Sequence, residues 1–149
     1  MRKKVLIVTL VIITISIGVY LFSIFNHQPV LEKTVIFKEE YNDYIIHIRI
    51  EAVNKEQFQV LRSLEYIGQE KLSIKHRTPL TAITMDKDNP VFTGSHRNRL
   101  LLPGYHYHPQ DPLVYDNLTE GKHIIYVHTQ FDDGEEIVNI KTKGEVYFE

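Results

Sequence analysis

Residues Val5 to Phe25 carry no charge over 21 positions and directly follow Arg2, Lys3 and Lys4. As a helix, such a run is about 31 Å long, matching the ~30 Å hydrocarbon core of a bilayer. It is apolar on every side, whereas a helix of a small globular domain keeps a polar face for water. The expectation is one transmembrane helix. All three flanking charges precede the run, so the positive-inside rule orients it. Residues 1–4 form a cytoplasmic stub, 5–25 the span, 26–29 a short linker and 30–149 an extracytoplasmic domain. That makes a single-pass cell-membrane protein with its C-terminal domain outside the cytoplasm. Tyr20 and the stretch Phe22 to Phe25 fit an interfacial aromatic belt. A secretory signal is the alternative, with Ser16-Ile17-Gly18 as its small-x-small cleavage site. Cleavage there would leave the greasy terminus Val19 to Phe25, so the uncleaved anchor is the better reading. A lipid anchor needs a cysteine after the signal, and the chain has none.

Composition changes after the span. Of 17 Lys+Arg, three precede Val5, which leaves 14 against 19 Asp+Glu and a net charge of −5 outside. No basic cluster interleaved with aromatics is present, so nucleic acid is not an expected partner. The lack of cysteine removes a disulfide framework, thiolate catalysis and Cys-based metal sites. An outer domain of about 120 residues can bury roughly two-thirds of its unfolded surface, so it can rely on its core.

Tyr44 to Val53 alternates strictly. Ile46, Ile48, Ile50 and Ala52 face one way and His47, Arg49 and Glu51 the other, a strand with one buried face. A weaker strand over Val30 to Phe37 precedes it, with Tyr41-Asn42-Asp43 as the turn. Further strands are expected at Leu61 to Ile67, Lys71 to His76 and Leu80 to Met85. The clearest pair is Lys122 to Phe131 and Glu135 to Phe148, about Asp132-Asp133-Gly134, whose Asp-Gly suits a tight hairpin. This many short strands, with no long helical stripe after Asn26, predict an all-β antiparallel sandwich.

Leu118-Thr119-Glu120-Gly121-Lys122-His123-Ile124-Ile125 resembles the Leu-x-x-Gly-x-Tyr-x-hydrophobic entry to strand F of immunoglobulin-like domains. His123 holds the place of the tyrosine that hydrogen-bonds back to the corner. The resemblance implies His123, Ile125, Val127 and Thr129 on the core face, with Ile124, Tyr126 and His128 opposite. It covers about ten residues, lacks the antibody-type Cys pair and buried Trp, and carries no activity. The whole chain looks like the small membrane-anchored Gram-positive bacterial proteins with one immunoglobulin-like domain. More faintly, it resembles the small β-sandwich proteinase inhibitors of bacilli.

Histidine is the chemically suggestive residue type. In Gly104-Tyr105-His106-Tyr107-His108-Pro109, an extended backbone puts His106 and His108 on one side and Tyr105 and Tyr107 on the other. Two imidazoles at i and i+2 can share a metal, with His96 or Asp111 as a third ligand. No His-Glu-x-x-His motif accompanies them. The bland alternative is a surface loop bracketed by Pro103 and Pro109, with Tyr105, His106, Tyr107 and His108 as a protein-contact patch and no resident metal or other cofactor. Asp86, Asp88 and Asn89 lack the glycine and the distal Glu of a calcium loop. Nucleophile-elbow, Ser-x-x-Lys and phosphate-loop motifs are absent. The segment Asn89 to Tyr115 holds four of the six prolines, three His and three Tyr; either it is a long loop, and loops of that length are usually functional or mobile, or Arg99 to Leu102 is a strand and the rest connection. The expectation is a membrane-anchored, non-catalytic binding or accessory module whose partner is an extracytoplasmic protein. A His-based metal protein and an inhibitor or immunity factor against a secreted hydrolase are the alternatives.

Overall fold

The computed structural model describes residues 12–22, 29–116 and 119–149. Residues 12–22 are helical with every side chain exposed. No helix among the described residues is long and apolar enough to cross a membrane. The rest of the expected span (5–11 and 23–25), the stub and linker residues 26–28 lie outside the described residues.

Ten strands follow, all paired antiparallel. They are β1 (Val35–Tyr41), β2 (Tyr44–Ala52), β3 (Phe58–Tyr66), β4 (Leu72–Arg77), β5 (Thr81–Met85), β6 (His96–Leu101), β7 (Tyr105–Tyr107), β8 (Leu113–Tyr115), β9 (Gly121–Asp132) and β10 (Ile137–Phe148). One sheet runs β1-β2-β3-β7, with β8 also on β3. The other runs β10-β9-β4-β6, with β5 on β9. The chain alternates between the two sheets. The chain makes β1 to β3 in the first sheet, crosses for β4 to β6, returns for β7 and β8, and crosses again for β9 and β10.

Period-two patterning explains the core. Ile46, Ile48 and Ile50 from β2 meet Phe58, Val60 and Leu64 from β3, and Ile125, Val127 and Phe131 from β9 face them from the other sheet. Each aliphatic side chain buried this way stabilises by about 1.5–3 kcal/mol relative to exposure. Ala52, assigned to the same face, is exposed because it ends its strand.

Three departures from the expected elements have local causes. The first strand is displaced: residues near Leu31 bridge to Phe148 in the second sheet, and the β1 pairing in the first sheet starts only at Val35. The β9–β10 turn is longer than a two-residue hairpin. Its four residues Asp133 to Glu136 are held by Asp133 Oδ1, which accepts from the Glu135 and Glu136 N–H groups at 3.0 Å each, while Gly134 alone takes a positive φ of 94°. By contrast, β1 and β2 join through a true two-residue turn, with Asn42 at φ 50°. Finally, the segment Asn89 to Tyr115 is not one continuous loop, and 12 of its 27 residues are strand. It supplies β6, β7 and β8.

Candidate functional site

β7 decides where the histidines go. Its register sets Leu64 opposite Tyr107, Glu65 opposite His106 and Tyr66 opposite Tyr105. Leu64 and Tyr66 belong to the core, so Tyr105 and Tyr107 turn inward and His106 turns out. The expected patch of Tyr105, His106, Tyr107 and His108 is thereby divided. Tyr107 Oη lies 3.0 Å from Nε2 of buried His76, whose Nδ1 lies 2.7 Å from the Arg77 carbonyl. Tyr105 accepts a hydrogen bond from Arg99, whose guanidinium sits 5.1 and 5.2 Å from the Tyr105 and Tyr107 ring centres. Burial pushes the Tyr107 hydroxyl up, with the Arg99 and Arg97 charges opposing. The two tyrosines are half-buried supports for β7, and the two histidines occupy its outer face.

That outer face gathers groups from three neighbouring strands. Glu65 on β3 stands opposite His106 on β7, and His47 on β2 lies diagonally across from Glu65. His47 Nε2 is 2.6 Å from Glu65 Oε2, and His106 Nε2 is 3.7 Å from Glu65 Oε1. One nitrogen or oxygen from each lies within 4.8 Å of the others. The His47 and His106 rings are 5.3 Å apart, and His108 stacks beside His106 at 6.5 Å. His108 also borders an open groove of about 220 Å³ with Ile36, His47, Arg49, Leu61 and Ser63. The third ligand expected for the His106–His108 pair is not where the spacing suggested. His96 lies on β6 in the other sheet, and Asp111 is engaged through its carbonyl by Arg62. His47 and Glu65 take that place. Neither could be paired with His106 from the sequence, because cross-strand register is not written in spacing.

A second constellation has the form of a nucleophile, base and orienter. Thr119 Oγ1 lies 3.2 Å from His123 Nε2, and His123 Nδ1 lies 2.6 Å from Asp86 Oδ2. The imidazole is held through both of its nitrogens. Burial opposes its protonation, but the hydrogen bond to Asp86, the Thr119 carbonyl and the Asp86 charge together push the His123 pKa up. When the ring is protonated, both nitrogens donate. Nε2 points to the Thr119 carbonyl at 2.9 Å, closer than the hydroxyl, which leaves no lone pair for a nucleophile's proton. This is the back-bond to the corner expected of position 123, and His123 packs edge-on against Phe148.

The same pair explains the loop after β5. Asp86 takes a left-handed φ of 60° and accepts from Ile124 N–H at 3.0 Å as well as from His123. Asp88 pairs with His128 at 2.5 Å. These carboxylates hold the loop to β9 and are committed there, in keeping with a turn rather than a calcium loop. Burial raises the Asp86 pKa, but the Ile124 N–H and His123 bonds lower it by more. A raised His123 stabilises the fold at pH below its ordinary 6.5 and loses that contribution as pH rises through the folded value. A lowered Asp86 contributes above its ordinary 3.8 and loses it as pH falls through the folded value. The difference in melting temperature between the wild type and His123→Gln is therefore expected to be largest in mildly acidic buffer and to shrink toward both extremes. A difference that grows steadily with pH would contradict the pairing.

No known family model matches the chain, and no curated protein or solved structure matches it at a significant level.

Proposed function

We propose that this chain is a single-pass envelope protein whose outer domain is an immunoglobulin-like, non-catalytic binding module. Its recognition surface is the open face of the first sheet around His47, Glu65, His106 and His108. The observation that carries this reading is the gathering of these four side chains on one exposed sheet face beside the groove lined by Ile36, Arg49 and Leu61. Exposed titratable and aromatic-ring side chains on a rigid sheet suit recognition. The strand order supports the immunoglobulin-like class. β2, β3 and β7/β8 would take places A, B and E, and β4, β9 and β10 places C, F and G, with β6 beside C. The His123 back-bond to Thr119 at the entry of β9 fits the same scheme. The uncharged Val5 to Phe25 run behind Arg2, Lys3 and Lys4 supports the anchor and its orientation.

The chain has no cysteine, which makes a clean test possible. Ile36→Cys places a thiol at the groove, and Lys143→Cys places one on the opposite sheet. Both are expected to react in intact cells with a membrane-impermeant maleimide, as an extracytoplasmic domain requires. With a photo-crosslinking maleimide, position 36 is expected to yield a discrete adduct and position 143 none. Labelling only after lysis would overturn the topology. Indistinguishable adduct patterns at 36 and 143 would overturn the assignment of the face.

A further inference from the structure

We propose that His47, Glu65 and His106 bind a divalent transition-metal ion of the zinc class, with the fourth coordination position open toward the groove. This deepens, and rests on, the reading of that face as the recognition surface.

Three adjacent strands deliver the donors to one side of the sheet. Glu65 and His106 are directly opposite, and His47 lies two residues along β2 from Glu65's own partner, Ile45. Their ligand atoms fall within 4.8 Å of one another. Donors around a tetrahedral zinc with bonds of about 2.0–2.1 Å sit roughly 3.4 Å apart. Half-exposed side chains can close that gap by small rotations, with no strand movement. Glu65 already faces one imidazole with each oxygen, at 2.6 and 3.7 Å.

The backbone beneath is tied to the core. His47 sits between Ile46 and Ile48, both buried in the core. β7 is held from its other face by the Tyr107–His76 and Tyr105–Arg99 contacts, so His106 starts from a fixed position. Two imidazoles and one carboxylate suit zinc, cobalt, nickel or copper. Calcium and magnesium prefer all-oxygen shells. Three protein ligands leave one position for water or for a donor from a partner. That position faces the groove lined by Ile36, Arg49, Leu61, Ser63 and His108. His108 stacks beside His106 at 6.5 Å and acts as a neighbour rather than a ligand. Lys38 is opposite His47 on β1, but it is exposed and its ammonium can stay in water.

The test uses the full-length chain, stripped with chelator and titrated with zinc chloride against a chromophoric competitor. One equivalent is expected to bind. His47→Ala and His106→Ala should each weaken binding at least about tenfold, the loss typical of damage to a metal site. His96→Ala, on the other sheet, should not change it. Cobalt(II) should give the intense visible bands of a four-coordinate site in the wild type, and these should vanish in either variant. Zinc should raise the melting temperature of the wild type but not of the variants, a readout that holds even where a variant is less stable. No stoichiometric zinc, or zinc binding that both variants leave intact, would overturn the proposal. So would binding lost in His108→Ala but kept in His47→Ala. Crosslinking from position 36, repeated with zinc and with EDTA, separates the two readings. An adduct from a chain that binds no zinc sinks the metal and leaves the recognition face standing. Zinc bound at this site with no adduct under either condition sinks the recognition face and leaves the metal.

Discussion

Val127→Asp is expected to lower strongly, or abolish, the cooperative unfolding transition of the domain. Val127 is 1% exposed and lies midway along β9, paired with Thr142 on β10 and Ile83 on β5. No edge is near enough for an aspartate there to reach water. An unpaired charge left in such a core costs about 3–5 kcal/mol. The whole stability of a domain this size is about 5–15 kcal/mol. The variant should therefore lose a large share of its stability, seen as a strongly lowered or lost thermal transition by circular dichroism. Lys143→Gln, on the exposed side of β10, should stay within about 0.5 kcal/mol of the wild type. A Val127→Asp chain that keeps its melting temperature would mean that β9 presents its other face to the core.

The prediction rests on the strict alternation of β2 and, for β9, on the resemblance to the entry of strand F. Period two assigns Ile46, Ile48 and Ile50 to the core, the strand-F resemblance adds Ile125 and Val127, and all five are buried. The same logic placed His47 among the outward residues of its strand. It stopped there. Nothing in the one-dimensional pattern says that β3 turns Glu65 toward His47, or that β7 lies against β3 rather than in the second sheet. β7 and β8 have three residues each, too short for any periodicity. Their pairing is determined by what Tyr105, Tyr107 and Tyr115 can pack against once β3 exists. The Tyr-His-Tyr-His pattern did carry the alternation of His106 against the tyrosines. Read as a surface loop, however, it gave all four residues to solvent, whereas the pairing with β3 gives the tyrosines to Arg99, His76 and the core. The expected span rests on hydropathy and charge alone, and among the described residues the helix at 12–22 is not long and apolar enough to cross a membrane.

β8 makes the second large effect local as well as global. Phe58 begins β3, is fully buried, and stacks on Tyr115 of β8 with ring centres 5.0 Å apart and planes 8° from parallel. It also meets Phe148 at the end of β10, at 5.2 Å and 46°. Phe58→Ala removes the ring that both of these aromatics pack against. Loss of transfer energy plus the cavity left behind puts the cost at about 3–5 kcal/mol. Collapse into the gap is hindered, because Tyr115 is held by its hydroxyl on the Ile83 carbonyl at 3.4 Å and burial keeps that hydroxyl protonated by raising its pKa. β8 has only three residues of ladder on β3, at Phe58, Gln59 and Val60, so it has little else to hold it. Chemical denaturation should show the lowered midpoint. Hydrogen exchange should show something more specific, with amides of Leu113 to Tyr115 losing protection by a larger factor than those of β7. The β7 pairing at Leu64 to Tyr66 is supported independently by His76 and Arg99. If β7 and β8 lose protection equally, the two short strands form one unit. The zinc-class site at His106 would then be destabilised by a cavity at the far end of β3. If only β8 opens, the site should bind metal in the Phe58→Ala chain as it does in the wild type, because its three donors rest on a part of the sheet that the cavity does not reach.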